Sequence, residues 1–125
     1  MESLYKIVIN VKTKYIEEQS NPIEDRYVFS YTVFIKNVGK IPAKLISRHW
    51  IITDANEKVE EVRGLGVIGE QPRLETNESF EYTSGTIINT PVGTMHGTYQ
   101  MVADNGYKFD AEIPLFSLNT PKILN

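Results

Sequence analysis

"RYVFSYTVFIK", residues 26–36, decides the fold. Tyr27, Phe29, Tyr31, Val33 and Ile35 take alternate positions, with Ser30, Thr32 and Lys36 on the opposite face. A period of two over this length predicts a β-strand with one face in a core. The same period extends outward. "LYKIVINVK" (4–12) alternates Tyr5, Ile7, Ile9 and Val11 with Lys6, Asn10 and Lys12. "ESFEYTS" (78–84) turns Phe80 and Tyr82 inward, and "GTYQMVA" (97–103) turns Tyr99 and Met101 inward. "YKFDAEIPL" (107–115) aligns Tyr107, Phe109, Ala111, Ile113 and Leu115. "AKLISRHWIIT" (43–53) carries bulk on both faces, which predicts a central strand, and "EKVEEV" (57–62) reads as extended.

Turn chemistry separates these runs. "NVGK" (37–40), "DANEK" (54–58), "ETNE" (75–78) and "DNG" (104–106) supply the Asn, Asp and Gly that turns require. "KYIEEQSNPIED" (14–25) reads as an irregular polar connection, and no window has helical apolar spacing. Seven to eight strands so punctuated predict an all-β protein. The expected architecture is an immunoglobulin/fibronectin-III-like antiparallel β-sandwich, one domain over residues 1–125. Trp50 falls on the third strand, where such sandwiches bury a Trp. Tyr99, two residues before Met101, is either a tyrosine corner or a plain core residue.

Composition narrows the function classes. In 125 residues, 41% are hydrophobic and 23% charged, as in ordinary soluble domains. A net charge of −3 argues against a nucleic-acid partner. Without cysteine there is no disulfide, thiolate metal site or Cys nucleophile, which suits a reducing cytoplasm. The opening "MESLYKIVINVKTKY" has neither a signal core nor the length of a membrane span, so no membrane partner is expected.

One motif invites a ligand. Gly64, Gly66 and Gly69 in "EVRGLGVIGEQP" (61–72) have the G-x-G-x-x-G spacing of a pyrophosphate loop. That fingerprint works through a helix N-terminus after the loop, and here Pro72 and a further strand follow instead. A structural loop or bulge is therefore expected at 64–69. The alternative is a phosphate, pyrophosphate or nucleotide site in which Arg63 and Arg73 help the glycine backbone hold the anion.

Other constellations are thin. His49 and His96 are the only histidines, and metal sites generally want three or more ligands. With surface carboxylates, they are the candidates for a divalent cation. No G-x-S-x-G elbow or paired-carboxylate arrangement is present, so an enzymatic activity is not expected. Arg48, on one face with Ile46, Trp50 and Ile52, must snorkel, pair or meet a partner. Arg48 and Trp50 together form a candidate interaction surface, since both residue types are enriched at hot spots.

Several blocks resemble the ApaG family: "QSNP" (19–22), "RYVFSYTVFIKNVG" (26–39), "LISRHWIITDAN" (45–56), "GVIGEQP" (66–72), "FEYTSG" (80–85), "TPVGTMHGTYQM" (90–101) and "IPLFSL" (113–118). Glu17 stands where many relatives carry Pro, and Ser30 where Ala is common. The resemblance implies the same sandwich and no established reaction. It implies protein–protein contacts, as in related domains of a eukaryotic F-box protein and a polymerase-delta-interacting protein. It also implies an association with cobalt and magnesium resistance, and of the glycine motif, Gly64, Gly66 and Gly69, with nucleotide or pyrophosphate. The combined expectation is a non-enzymatic module with an unidentified protein partner, needing no cofactor. Edge strands of so small a sandwich can also pair between chains as a homodimer.

Overall fold

The computed structural model describes residues 3–121. Residues 1, 2 and 122–125, at the two ends of the expected domain, lie outside the described residues. Each of the seven runs becomes a strand, and a two-residue strand, Arg73–Leu74, joins them: β1 (Ile7–Tyr15), β2 (Tyr27–Asn37), β3 (Ala43–Asp54), β4 (Val59–Leu65), β5 (Arg73–Leu74), β6 (Ser79–Ile88), β7 (Val92–Ala103) and β8 (Lys108–Asn119). The polar connection of 14–25 holds the end of β1 and two single 3₁₀ turns, Glu17–Gln19 and Pro22–Glu24. Among the described residues no helix is long and apolar enough to cross a membrane.

Two antiparallel sheets face each other as a sandwich. One has the order β1-β2-β6; the other runs β4-β3-β7-β8, with β5 also paired to β3. Phe29, Val33 and Ile35 of β2 meet Leu45 and Trp50 of β3, Tyr99 and Met101 of β7, and Leu118 of β8 in a continuous core. Trp50 is buried, as expected for its place on the third strand, and lies edge-on to Tyr31, Tyr99 and Phe116. One side of the sandwich is closed where β1 lies against β8, with Tyr5 stacked on Tyr107 at 4.2 Å. On the other side β4 and β6 are the sheet edges, separated by a groove.

Two β-bulges change the phase of the alternation and correct the reading of faces. In β3 the register shifts between Leu45 and Ser47. Ala43 and Leu45 are buried before the shift, Trp50 and Ile52 after it. The bulk seen on both faces of 43–53 thus comes from one extra residue, Ile46. β3 is nonetheless internal, as its partners β4 and β7 show. In β8, Pro114 and Leu115 oppose the single residue His96, since Met95 pairs with Phe116 and Gly97 with Ile113. Leu115, expected inside, is therefore exposed, and Leu118 takes the core position.

Tyr99 is a core residue and not a tyrosine corner. It lies mid-strand, and its hydroxyl bonds the hydroxyl of Tyr82 on the opposite sheet instead of a nearby backbone group.

Candidate functional site

The glycine stretch is a tight hairpin. Gly64 lies in β4 opposite Arg48. The Val67 amide donates to the Glu70 carbonyl at 2.8 Å, and the Glu70 amide returns the bond to Val67 at 2.9 Å. The two residues between them, Ile68 and Gly69, both have positive φ, 45° and 78°. That is the backbone of a two-residue primed turn, which glycine suits and a β-branched Ile does not. Gly66, at φ 60°, donates its amide to the Ile46 carbonyl at 2.8 Å. A Cβ on Gly66 would sit 2.2 Å from the Glu70 carbonyl oxygen. The Val67 and Glu70 amides are thus consumed within the turn and the Gly66 amide by β3, rather than turned together toward a ligand.

The two arginines expected beside this loop go elsewhere. Arg63 projects from β4 on the outer face, with its guanidinium 3.9 Å from Glu61. Arg73, at the start of β5, binds Asp104 through both guanidinium ends at 3.0 and 2.5 Å and Glu75 at 2.6 Å. The Arg73 hydrogen bonds hold the Asp104 carboxyl below the usual carboxylate range. Arg73 already has two carboxylate partners, a structural tie between β5 and the β7–β8 turn.

Arg48 is the residue that joins loop and core. The bulge at Ile46 turns it to the inner side, between Gly64 of β4 and Tyr99 of β7. It donates to the carbonyls of Leu65 at 2.9 Å and Gly66 at 2.7 Å. A Cβ on Gly64 would lie 2.7 Å from the guanidinium, so the missing side chain there makes room for Arg48. Beneath it burial pushes the phenols of Tyr82 and Tyr99 well above their ordinary pKa, and the Arg48 charge works against that rise. The candidate surface of Arg48 with Trp50 is corrected in one half. Arg48 is half-buried and paired to backbone, whereas Trp50, 2% exposed, is a core residue that reaches the surface only as the floor of a groove.

Trp50 and Arg48 do line the groove between the free edges. It encloses ≈ 550 Å³, with Tyr31, Ile52 and Met95 toward the core and Val62 and Ile87 at its two lips. Glu60 and Thr86 add polar groups. The indole Nε1 of Trp50 is buried without a hydrogen-bond partner among the described residues. Outside the groove, Val59 and Leu65 on β4 are also exposed. A concavity with polar and apolar lining, between two strand edges unpaired among the described residues, is suited to receiving a polypeptide segment.

The histidines do not converge. The Nε2 atom of His49 meets the Oε1 atom of Glu61 at 2.8 Å on the outer face of β3 and β4, a cross-strand carboxylate contact of the kind open to it from sequence. His96 lies on β7, opposite the two-residue bulge of β8. Among the described residues no three His, Cys, Asp or Glu side chains come together as a metal site.

Sequence reasoning missed the groove lips, Val62 and Ile87, because neither stands out in its own segment. The available signal was the pattern Val59, Val62, Leu65 among charges in a strand with no polar face. It becomes meaningful once β4 is known to be an edge.

Comparison with known proteins places this geometry. The family described as the ApaG domain matches residues 17–103. The chain is similar to the Protein ApaG of Thiobacillus denitrificans, 61% identical over 121 residues that cover 97% of this chain and 95% of the relative. The Protein ApaG of Dechloromonas aromatica is 57% identical over the same shares. A crystal structure of a Bordetella pertussis chain described as ApaA superposes with a TM-score of 0.95 at 51% identity, covering 98% of this chain and 100% of that one.

Proposed function

The chain belongs to the ApaG-domain family, and on that premise we propose that it is a non-enzymatic β-sandwich module acting through protein–protein contact. One observation carries this reading: β4 and β6, edges without a strand partner among the described residues, flank a groove of mixed polar and apolar lining whose lips, Val62 and Ile87, are 38% and 47% exposed. Unpaired edges with exposed apolar residues are templates for strand addition, and most proteins cover or blunt them. Here charges at Glu60, Glu61 and Arg63 guard β4, so pairing is selective rather than indiscriminate. We read the sandwich as fibronectin-III-like, a scaffold suited to presenting edges and loops to a partner. The cysteine-free composition suits action in the cytoplasm.

The test is capture from native cytosol by the immobilised protein, compared with capture by Val62→Arg and Ile87→Arg. Both positions are partly exposed, so the variants keep the core intact. The expected result is a protein retained by the wild type and lost from both variants. Equal retention by all three, or none by any, overturns the reading.

A further inference from the structure

We infer that the β4 edge is self-complementary and receives a second copy of this chain, antiparallel, with Val62 opposite the partner's Val62. The inference rests on the proposal that the β4–β6 side is a contact surface, and it names one partner for it.

The strand reads Val59-Glu60-Glu61-Val62-Arg63-Gly64-Leu65. Its pairing with β3 settles the faces. Val62 opposes the buried Trp50 and Gly64 opposes Arg48, so Glu60, Val62 and Gly64 are on the groove side. Glu61 opposes Ile51 and Arg63 opposes His49, so Val59, Glu61, Arg63 and Leu65 are on the outer face. Opposed residues of an antiparallel pair share a face, so a two-fold pairing of β4 with itself must centre on a residue.

The possible centres are easily separated. A centre at Glu60, Glu61 or Arg63 places a charge opposite its own copy, which is destabilising. A centre at Gly64 or Leu65 pushes the pairing into the hairpin at 66–69, where the backbone turns away and its amides are already bonded, and a centre at Val59 pushes it into the turn at 54–58. A centre at Val62 uses the whole strand. It sets Glu61 opposite the partner's Arg63 twice by symmetry, Val59 opposite the partner's Leu65 twice, and Glu60 opposite the partner's Gly64. Val59 and Leu65, 58% and 76% exposed in one chain, then cover each other. The five-stranded sheet continues across the two-fold, and the groove beside Val62 gains a second wall. A contact of seven residues per chain is smaller than the interfaces of stable dimers, so the pair forms reversibly with rising concentration.

The native chain has no cysteine, which allows a direct test of register. Val62→Cys places two thiols opposite each other across the two-fold, within disulfide reach. Glu60→Cys places them about 13 Å apart along the strands, out of reach. Under mild oxidation Val62→Cys is expected to form a covalent dimer at least about tenfold faster than Glu60→Cys. In sedimentation, Arg63→Glu is expected to weaken association about tenfold or more, and Glu61→Arg with Arg63→Glu together to restore it. Arg63 also lies 3.9 Å from the Glu61 oxygen that meets His49, so each variant's urea midpoint is read beside its association, and restoration by the double change is what reads the interface. Equal cross-linking rates at 62 and 60, or a strictly monomeric wild type up to about 1 mM, overturn the inference. Either result leaves the capture of a different protein from cytosol to be decided by its own experiment.

Discussion

Ile68 is the residue most at odds with its backbone. It is β-branched, exposed, and held at φ 45° in the first central position of the 67–70 turn. Such a residue costs roughly 1–3 kcal/mol there, and Asn is favoured in its place. Ile68→Asn should therefore stabilise the protein by about 1 kcal/mol, measured as a raised urea midpoint at unchanged slope. Gly66 predicts the opposite. Gly66→Ala drives a Cβ against the Glu70 carbonyl at a positive φ, and should cost about 2 kcal/mol or more by the same measurement. The three glycines were legible as a motif, and the missing helix was legible too. That Gly64 makes room for Arg48 was not, because Arg48 lies sixteen positions away and reaches Gly64 only through pairing of β3 with β4.

At the scale of the element, strands are secured at their ends by side chains that replace missing ladder bonds. Asn37 closes β2. Its Nδ2 donates to the carbonyls of Ile41 at 3.1 Å and Leu74 at 3.0 Å, and its Oδ1 accepts from the Gly39 amide at 2.9 Å. It is 1% exposed, so its loss leaves buried backbone groups unpaired. Asn37→Ala should cost about 2–3 kcal/mol and loosen β5, seen as faster amide exchange around Leu74. Most strand boundaries were legible to within a few residues. The faces were legible only up to each bulge. Nothing in "LISRH" or "EIPLF" says alone that Ile46 and the Pro114–Leu115 pair are extra, since a bulge is defined by the strand it faces.

Across the whole molecule, the two sheets are joined by packing and by the Tyr82–Tyr99 hydroxyl pair, one phenol from each sheet. Burial raises both phenols above the ordinary value near 10. An acid with a raised folded-state pKa keeps its proton more tightly when folded, so its contribution is full below pH about 10 and is lost as pH climbs above it. The wild type should lose thermal stability steeply above pH 10, and Tyr82→Phe with Tyr99→Phe should flatten that loss. At neutral pH, single changes should each cost about 1–2 kcal/mol by stranding the other hydroxyl, and the double change less than their sum. By itself the sequence determined that the chain forms strands, where seven of them lie, and which face of most unbroken runs turns toward the core. Those properties follow from the two-residue period of an extended backbone and the removal of apolar faces from water. Only the tertiary structure decided where the alternation changes phase, that Trp50 is core while Arg48 clamps the glycine turn, and that β4 and β6 are left as open edges. Each of those depends on which strands lie side by side, a relation between residues far apart in the chain.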